Sequence, residues 1–314
     1  MSQAGIHHIF IQVYANGQTI YPSEILKPNL RFTRGEDPLT IMISEGHKHN
    51  IKVHAWFNIF YIWGYGPRPE DPNHPLNSNW EVFDREGNSI KSYSTRILKR
   101  MGIEGYFVSP FSQSYQRLIL SLIEEVIKKY NVDGIHLDYI RFPDLEFGYD
   151  PFARTHFMRR YYVDPIDGSA LDRLRIESYL IEPLYRKMLI QGLSHFVQKI
   201  KKLVHSLKPI PVSAAVKPDP LEARNKFGQD WFNWLREGKI DFVVPMCYTP
   251  NTNWILRILD NLRIREKIWI GLSAFNQEEK SLMRQVETLR RKGYHNLVIF
   301  SFEDLRKNHW LSFY

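Results

Sequence analysis

The feature that most constrains the fold of this 314-residue chain is the alternation of short β-rich runs with longer helical segments. Runs rich in branched and aromatic residues predict seven strands, and apolar residues at helical spacing predict the helices between them. The strands are predicted at residues 7–14, 51–58, 132–140, 210–217, 240–248, 267–274 and 296–304, and the helices at 37–49, 112–130, 181–206, 229–237, 252–262 and 277–292. A repeated β–α order is typical of a parallel sheet wrapped by helices.

A closed barrel of this class has eight strands, whereas seven are predicted here and the first begins only six residues after Met1. We therefore predict one α/β domain over residues 1–314, a TIM-type (β/α) barrel that lacks its first βα unit. An open doubly wound sheet is the alternative. It is disfavoured because no Gly-rich phosphate-binding turn follows any predicted strand.

Composition and motifs exclude several classes of protein. The net charge of +8 arises in helix-like stretches, where solvated helix faces explain it, so we expect no nucleic-acid partner. The single cysteine, Cys247, excludes an intrachain disulfide and a multi-thiolate metal site, and its apolar surroundings in the sequence indicate a buried thiol. No zinc-protease motif, calcium loop or nucleophile elbow is present, so neither a metal nor a cofactor is predicted.

The sequence also bears on localisation. No run of 18 apolar residues occurs, so we expect no stable membrane insertion. The N-terminus lacks the basic segment and apolar core of a secretory signal. A complete chain of this kind would be cytoplasmic, whereas one that has lost its N-terminal βα unit would also have lost any export signal. The oligomeric state is not predicted.

Two predicted connections are too long for simple turns, one at about residues 59–111 and the other at about 141–180. Both follow the carboxyl end of a strand, and long loops in a compact domain are usually functional. Both are rich in aromatic residues, in a chain with 8 Trp, 17 Tyr and 19 Phe. On the catalytic face of a barrel such rings can stack on sugars. The alternative is that they pack against one another and hold the loops.

Alternation along the strands places polar side chains in one phase, which in a barrel faces the lumen. In 51–58 this phase holds His54, Trp56 and Asn58, and in 132–140 it holds His136 and Asp138. The other strands add further positions in the same phase: His8, Gln12, Tyr14, Ser213, Lys217, Met246, Tyr248, Ser273, Ser301 and Glu303. Packing alone would fill a barrel with branched apolar side chains. The polar ring therefore predicts an active site, although a lone inward histidine such as His54 is more often a packed core residue.

Glycoside hydrolysis needs a carboxylic acid to protonate the leaving oxygen and a second carboxylate to act as nucleophile or as base for water. Asp138 and Glu303 are the inward carboxylates, and we predict that they form the catalytic pair. His136 and Arg141 are expected to tune Asp138, because a nearby cation lowers the pKa of a carboxyl group and burial raises it. The reserves for the second carboxylate are Asp219 and Asp304.

Two other acids are predicted to be structural. Asp133 opens its strand and is expected at the face opposite the site, and Asp230 precedes an apolar helical run, where an N-cap or first-turn role is favoured.

The motifs around these residues resemble those of a known family. The chain contains HAWFN, VDGIHLDYIRFP and FGQDWFNWLREGKIDFVVPMCYT, with QVYANGQTIYPS near its start and VIFSFEDL near its end. Together they resemble the glycoside-hydrolase-like family 10, the DUF187-type glycosyl hydrolases of bacteria, over nearly the whole chain. The resemblance implies a TIM-barrel glycosidase in which the acid after the fourth barrel strand, here Asp138, is catalytic. It also implies an exported protein that acts on cell-wall or other complex glycans, and a further strand and helix before the QVYANG segment, which this chain lacks.

We therefore expect hydrolysis of an oligosaccharide or polysaccharide by Asp138 and Glu303. The alternative is a glycan-binding module on the same fold, with the aromatic loops but without a competent acid pair. Retention or inversion at the sugar depends on the distance between the two carboxyl groups and stays open. The residues predicted to contact a carbohydrate substrate are Gln12, Tyr14, His54, Trp56, Asn58, His136, Arg141, Lys217, Asp219 and Tyr248.

Overall fold

The computed structural model describes residues 5–29, 36–167, 178–259, 262, 264–307 and 310. Strands within these ranges are β1 His8–Ala15, β2 Gln18–Thr19, β3 Lys52–Asn58, β4 Tyr61–Trp63, β5 Tyr106–Phe107, β6 Gly134–Asp138, β7 Val212–Val216, β8 Phe242–Pro245, β9 Ile270–Ser273 and β10 Leu297–Phe300. Helices are α1 Pro38–Lys48, α2 Thr95–Arg100, α3 Gln113–Lys129, α4 Pro151–Tyr161, α5 Ser178–Leu207, α6 Pro220–Phe227, α7 Trp231–Arg236, α8 Thr252–Leu259, α9 Glu279–Arg291 and α10 Phe302–Lys307.

Seven of the strands form the barrel wall in chain order. β1, β3, β6, β7 and β8 pair side by side in parallel, and β9 follows β8 through parallel bridges at Val243–Ile268 and Met246–Gly271. β10 then pairs with β9 in parallel. The fold is therefore the α/β, TIM-type barrel that the sequence predicts. Among the residues described, no pairing joins β10 to β1, so the wall is open at the place where the sequence predicts a missing unit.

The six predicted helices are found as α1, α3, α5, α7, α8 and α9, each within a few residues of its predicted ends. Side chains cap the first turns of two of these helices: Asp37 accepts from the Leu39 N–H at the start of α1, and Ser112 accepts from the Tyr115 N–H at the start of α3. Parts of two predictions, the helix end at 260–261 and the loop at 168–177, lie outside the described residues. No helix in the described part of the chain is both long and apolar enough to cross a membrane.

The outward phase of the strands packs beneath these helices. In β3, Val53, Ala55 and Phe57 are fully buried, as are Ile135 and Leu137 in β6. Burial of this apolar layer is the main stabilising contribution to such a barrel. The inward phase is thereby left to face the lumen, as predicted.

Acids at the amino ends of two strands fasten the wall at the face opposite the site. Asp133, just before β6, accepts the Val53 N–H at 2.8 Å and a hydrogen bond from His47 of α1 at 2.8 Å. Asp241, just before β8, accepts the Val212 N–H at 2.8 Å. The structural role predicted for Asp133 is confirmed.

The first long loop returns over the carboxyl ends of β3 and β6. The Ile59 N–H donates to the Asp138 carbonyl at 2.8 Å, and the Phe60 N–H donates to the Tyr139 carbonyl at 3.3 Å, so the pairing continues beyond the strands. β4 then pairs with β5 in antiparallel fashion. This small two-stranded element, absent from the prediction, brings the residues before β5 close to Asp138.

Candidate active site

Asp138 is the last residue of β6 and lies beside Asn58, the last residue of β3. Both side chains are buried, with exposed fractions of 9% and 5%. Gln12 of β1 donates a hydrogen bond to the Asn58 amide oxygen at 3.4 Å, so the ends of three adjacent strands contribute to one polar row. Tyr139 follows with a φ of 50°, a left-handed conformation that few non-glycine residues adopt, and the chain turns directly after Asp138.

Burial raises the pKa of Asp138 to about 6, and a hydrogen bond from the Tyr139 N–H at 2.7 Å partly opposes that rise. Arg141 and Lys217 also lower this pKa, and Glu104 raises it. Near neutral pH this carboxyl group is still protonated in a fraction of the molecules. It has the property required of a general acid.

Four ionisable side chains, Asp138, Glu104, Arg141 and Lys217, form what we call the charged cluster. Arg141 donates to Glu104 Oε1 at 2.8 Å, and Lys217 Nζ lies 3.9 Å from the same oxygen. Arg141 is almost fully buried, whereas the Glu104 side chain is 38% exposed. Two carboxyl groups and two cations therefore share the carboxyl ends of β6 and β7.

Aromatic rings lie against the two cations of the charged cluster, and a buried amide holds the backbone of Lys217. The Arg141 guanidinium lies 4.9 Å from the centre of the Tyr139 ring, which itself stacks on Tyr61 of β4 at 4.6 Å. Lys217 lies 4.8 Å from the Phe227 ring. Gln229, fully buried, accepts the Lys217 N–H and donates to the carbonyls of Ala215 and Ile140, which ties the ends of β6 and β7 together.

Aromatic residues form one wall beside the cluster. Tyr248 stacks on Phe300 at 5.7 Å and meets Phe275 edge to face at 5.7 Å, and burial followed by the nearby Asp138 charge raises the pKa of Tyr248. Phe300 also contacts the ring of Trp56. Phe275 is half exposed, so part of this wall is open to a ligand. Flat apolar rings of this kind are suited to stacking on a sugar.

Below the cluster the lumen is packed with histidines and aromatics. His136 donates to or accepts from Ser213 at 2.9 Å, and its ring lies between Phe10 and Trp56. Burial lowers the pKa of His136 to about 3, so the ring is neutral. His136 therefore supports the floor beneath Asp138.

His54 lies deeper still, hydrogen-bonded to His8 at 2.9 Å and stacked on Phe10. Its partner across the sheet is Gly134, four residues before Asp138, which corresponds to about 13 Å along the strand. The structure thus places His54 in the packed lumen, in agreement with the alternative that the sequence left open.

The predicted position of Tyr14 in the lumen is wrong. A register shift between Gln12 and Tyr14 reverses the phase of β1, so Tyr14 is fully buried under α3, where its hydroxyl contacts that of Tyr115 at 3.3 Å. Tyr115 in turn donates to the Ile59 carbonyl. Tyr14 therefore holds the loop to the helix, and its predicted contact with a substrate has lost its geometric basis.

The strand position predicted for Glu303 is also wrong. β10 ends at Phe300 and α10 begins at Phe302, so strand alternation does not apply to Ser301, Glu303 or Asp304. Glu303 is about half exposed and pairs with Arg306 and Lys307 of its own helix. Its catalytic role stays a prediction that has lost its geometric basis.

Two further acids act as helix-start residues. Asp219 accepts the N–H groups of Leu221 and Glu222 at 2.8 and 2.9 Å and caps α6. Asp230 occupies the N-cap position of α7, as predicted, but its carboxylate accepts from the Asn233 side chain rather than from the backbone. The Asp219 carboxylate is therefore engaged in capping, and its predicted contact with substrate is untested.

The residue that sequence reasoning missed is Glu104. It lies in the first long loop between Gly102, with a φ of 72°, and Gly105, where an added Cβ would lie 2.2 Å from the Trp63 carbonyl oxygen. Gly105 permits the tight approach of the loop to β4, and Gly102 permits the left-handed turn before Glu104. The sequence signal that could have identified Glu104 is its position near two glycines in a loop predicted to be functional.

Comparison with known proteins shows that the chain is similar to glycosyl hydrolases. The family model described as glycosyl hydrolase-like 10 matches residues 1–267. Similar sequences include the glycosyl hydrolase DigH of Escherichia coli strain K12, 26% identical over 306 residues that cover 90% of this chain and 65% of that protein. Another is the glycosyl hydrolase YngK of Bacillus subtilis strain 168, 24% identical over 350 residues that cover 98% of this chain and 62% of that protein. The chain spans less than two thirds of the length of these relatives.

Two solved structures share the fold. The PgaB (BpsB) glycoside hydrolase domain from Bordetella bronchiseptica has a TM-score of 0.72 at 15% identity, covering 96% of this chain and 85% of that one. The catalytic domain of β-amylase from Paenibacillus polymyxa has a TM-score of 0.55 at 12% identity, covering 97% and 87%. At such identities the likeness concerns the fold alone.

Proposed function

The chain belongs to the glycosyl hydrolase-like 10 family, and from this premise we propose that it hydrolyses glycosidic bonds of an oligosaccharide or polysaccharide with Asp138 as general acid. Its family and structural neighbours support a glycoside hydrolase-type function. The observation that carries the proposal is the buried Asp138 carboxyl at the end of β6, whose pKa burial raises to about 6. At neutral pH it can donate a proton to the leaving oxygen and recover it afterwards.

The cleft offers the groups that a sugar requires besides the acid. Asn58, oriented by Gln12, and Lys217 supply polar contacts at the strand ends. Tyr248 and Phe275 supply ring faces on one side. We propose that these four positions hold the sugar next to Asp138, with bacterial cell-wall glycan as the first substrate to be tested.

The test is release of reducing ends from a panel of bacterial glycans that includes peptidoglycan strands. The wild-type protein should cleave at least one of them. Asp138→Asn should bind the same glycan and release reducing ends about 10²–10⁴-fold more slowly, the usual contribution of acid–base assistance.

The same experiment judges the second candidate, a glycan-binding module. The half-exposed Phe275 beside Tyr248 favours binding whether or not cleavage occurs. Glycan binding without turnover by the wild-type protein would favour the module, and unchanged turnover by folded Asp138→Asn would rule out the catalytic assignment.

A further inference from the structure

We propose that Glu104 is the second carboxylate of the hydrolytic site, acting with Asp138 on the same glycosidic bond. This inference rests on the proposed function and names the partner that the strand pattern could not supply. It concerns a residue of the loop before β5, whereas the sequence-based candidate Glu303 lies on α10.

Backbone pairing places Glu104 beside Asp138. The chain after β3 pairs with Asp138 and Tyr139 at the end of β6 through the Ile59 and Phe60 N–H groups, and β5 returns alongside β4. The Val108 N–H donates to the Phe60 carbonyl at 3.0 Å, which fixes the end of β5 over the same strand ends. Glu104, two residues before β5, is thereby carried to the side of Asp138, where its charge acts on the Asp138 carboxyl.

The surroundings of the Glu104 carboxylate differ from those of Asp138. Glu104 faces two cations, Arg141 at 2.8 Å and Lys217 at 3.9 Å, through the same oxygen. At 38% exposure it is open to water and to a ligand, unlike Arg141. A solvent-accessible carboxylate beside a buried carboxyl group supplies the two different environments that the two carboxyl groups of a glycosidase require.

With these two carboxyl groups, hydrolysis needs only the glycan and water. Asp138 gives its proton to the leaving oxygen as the bond from that oxygen to the anomeric carbon breaks. Water supplies the new oxygen on that carbon, and Glu104 takes the proton that the water loses. If Glu104 first bonds to the anomeric carbon and water then releases the sugar, the sum is the same, and the anomeric configuration of the product distinguishes the two routes.

The experiment measures kcat and KM on the glycan that the wild-type protein cleaves best. Glu104→Gln should lower kcat by about 10²-fold or more, because a neutral amide cannot accept the proton. The matched control is Glu81→Gln, which removes another partly buried carboxylate of the same loop, paired with Lys91 at 2.9 Å. The control should keep a kcat close to that of the wild type.

Loss of the buried Arg141 pair could unfold Glu104→Gln, so Glu104→Asp is measured beside it. Glu104→Asp keeps the charge but withdraws the carboxylate by one methylene, and we expect it to lose kcat by about tenfold or more, since small misplacements of a reacting group are costly. A purely ion-pairing role would leave Glu104→Asp near wild-type activity and would overturn the inference.

The split between kcat and KM gives a readout that a structural role would not move. Loss of a group that acts on the transition state should lower kcat in Glu104→Gln and leave KM near its wild-type value, whereas a general loosening of the charged cluster should raise KM as well.

The outcomes separate this inference from the proposed function. If the wild type cleaves glycan and Asp138→Asn does not, but folded Glu104→Gln remains fully active, Glu104 is excluded and the proposed function stands. Loss of activity in Glu303→Gln instead would assign the second carboxylate to α10. If the wild type cleaves no glycan, both proposals fail together.

Discussion

Asp138→Asn should make the protein more stable and less active at the same time. Burial raises the pKa of Asp138 to about 6, whereas an unfolded chain has a value near ~4. One pKa unit corresponds to about 1.4 kcal/mol, so burying the charged form costs about 3 kcal/mol once the group is ionised. Asparagine keeps the shape and an oxygen for the Tyr139 N–H, and it has no charge to desolvate.

The sign of the pH dependence follows from the direction of the shift. A folded-state pKa above the unfolded-state value means that the folded protein binds the proton more tightly. The wild type therefore loses stability as the pH rises from about 4 to about 6, and Asp138→Asn does not. The stability gained by Asp138→Asn should be largest near about pH 8 and should vanish near about pH 4.

Urea unfolding at both pH values, with turnover measured on the same preparations, tests this reasoning. The matched control is Asp150→Asn, because Asp150 is a second fully buried carboxyl whose pKa burial raises to about 6, and it caps α4. The control should be stabilised in the same direction with turnover retained. If Asp138→Asn is instead less stable than the wild type at the higher pH, its carboxylate is mainly a partner for Arg141, and the reasoning is refuted.

The other predictions concern the supports of the site. Burial lowers the pKa of His54 to about 4 and of His136 to about 3, so each of these histidines makes the folded state less stable as the pH drops below about 6.5, opposite in sign to Asp138 and Asp150. The urea midpoint of His136→Gln should therefore rise relative to that of the wild type as the pH falls, and a difference that does not change with pH would contradict this. Gln229→Ala should cost about 1–3 kcal/mol in urea unfolding and lower kcat, since three backbone groups lose their partner. Glu125→Ala should cost about 1–3 kcal/mol with kcat retained, because it accepts from Tyr21, Ser23 and the Glu24 N–H; an unchanged midpoint would show that these bonds contribute nothing.

The parts of the fold that depend on local pattern could be predicted from the sequence. The seven barrel strands follow from runs of β-rich residues, and the phase of β3 and β6 follows from strict alternation with buried outward residues. That phase was enough to place Asn58 and Asp138 side by side at the strand ends. Asp133 was predictable for the same reason, since a strand position also fixes which end of the barrel a residue occupies.

The errors came from features that only pairing or tertiary contact decides. The bulge that reverses Tyr14 depends on the register between β1 and β3 and leaves the composition of β1 unchanged. β10 ends three residues before Glu303 because α10 begins there, although the sequence FSFED also reads as alternating. Glu104 reaches the site through backbone bonds between residues far apart in the chain, which no local periodicity encodes.

The charged cluster places a protonatable carboxyl group next to an ion pair at one end of the barrel. Glu104 lies 2.8 Å from the Arg141 guanidinium and offsets its positive charge. The pKa of Asp138 is set chiefly by burial, which raises it, against the hydrogen bond from the Tyr139 N–H and the charge of Arg141, which lower it. A ligand that expels water from the cleft would strengthen burial further and keep the proton on Asp138 until the leaving oxygen takes it. The rings of Phe107, Tyr139 and Phe227 surround the Arg141 guanidinium, which pairs with Glu104. The pKa of Asp138 therefore depends on the β4–β5 loop as well as on β6.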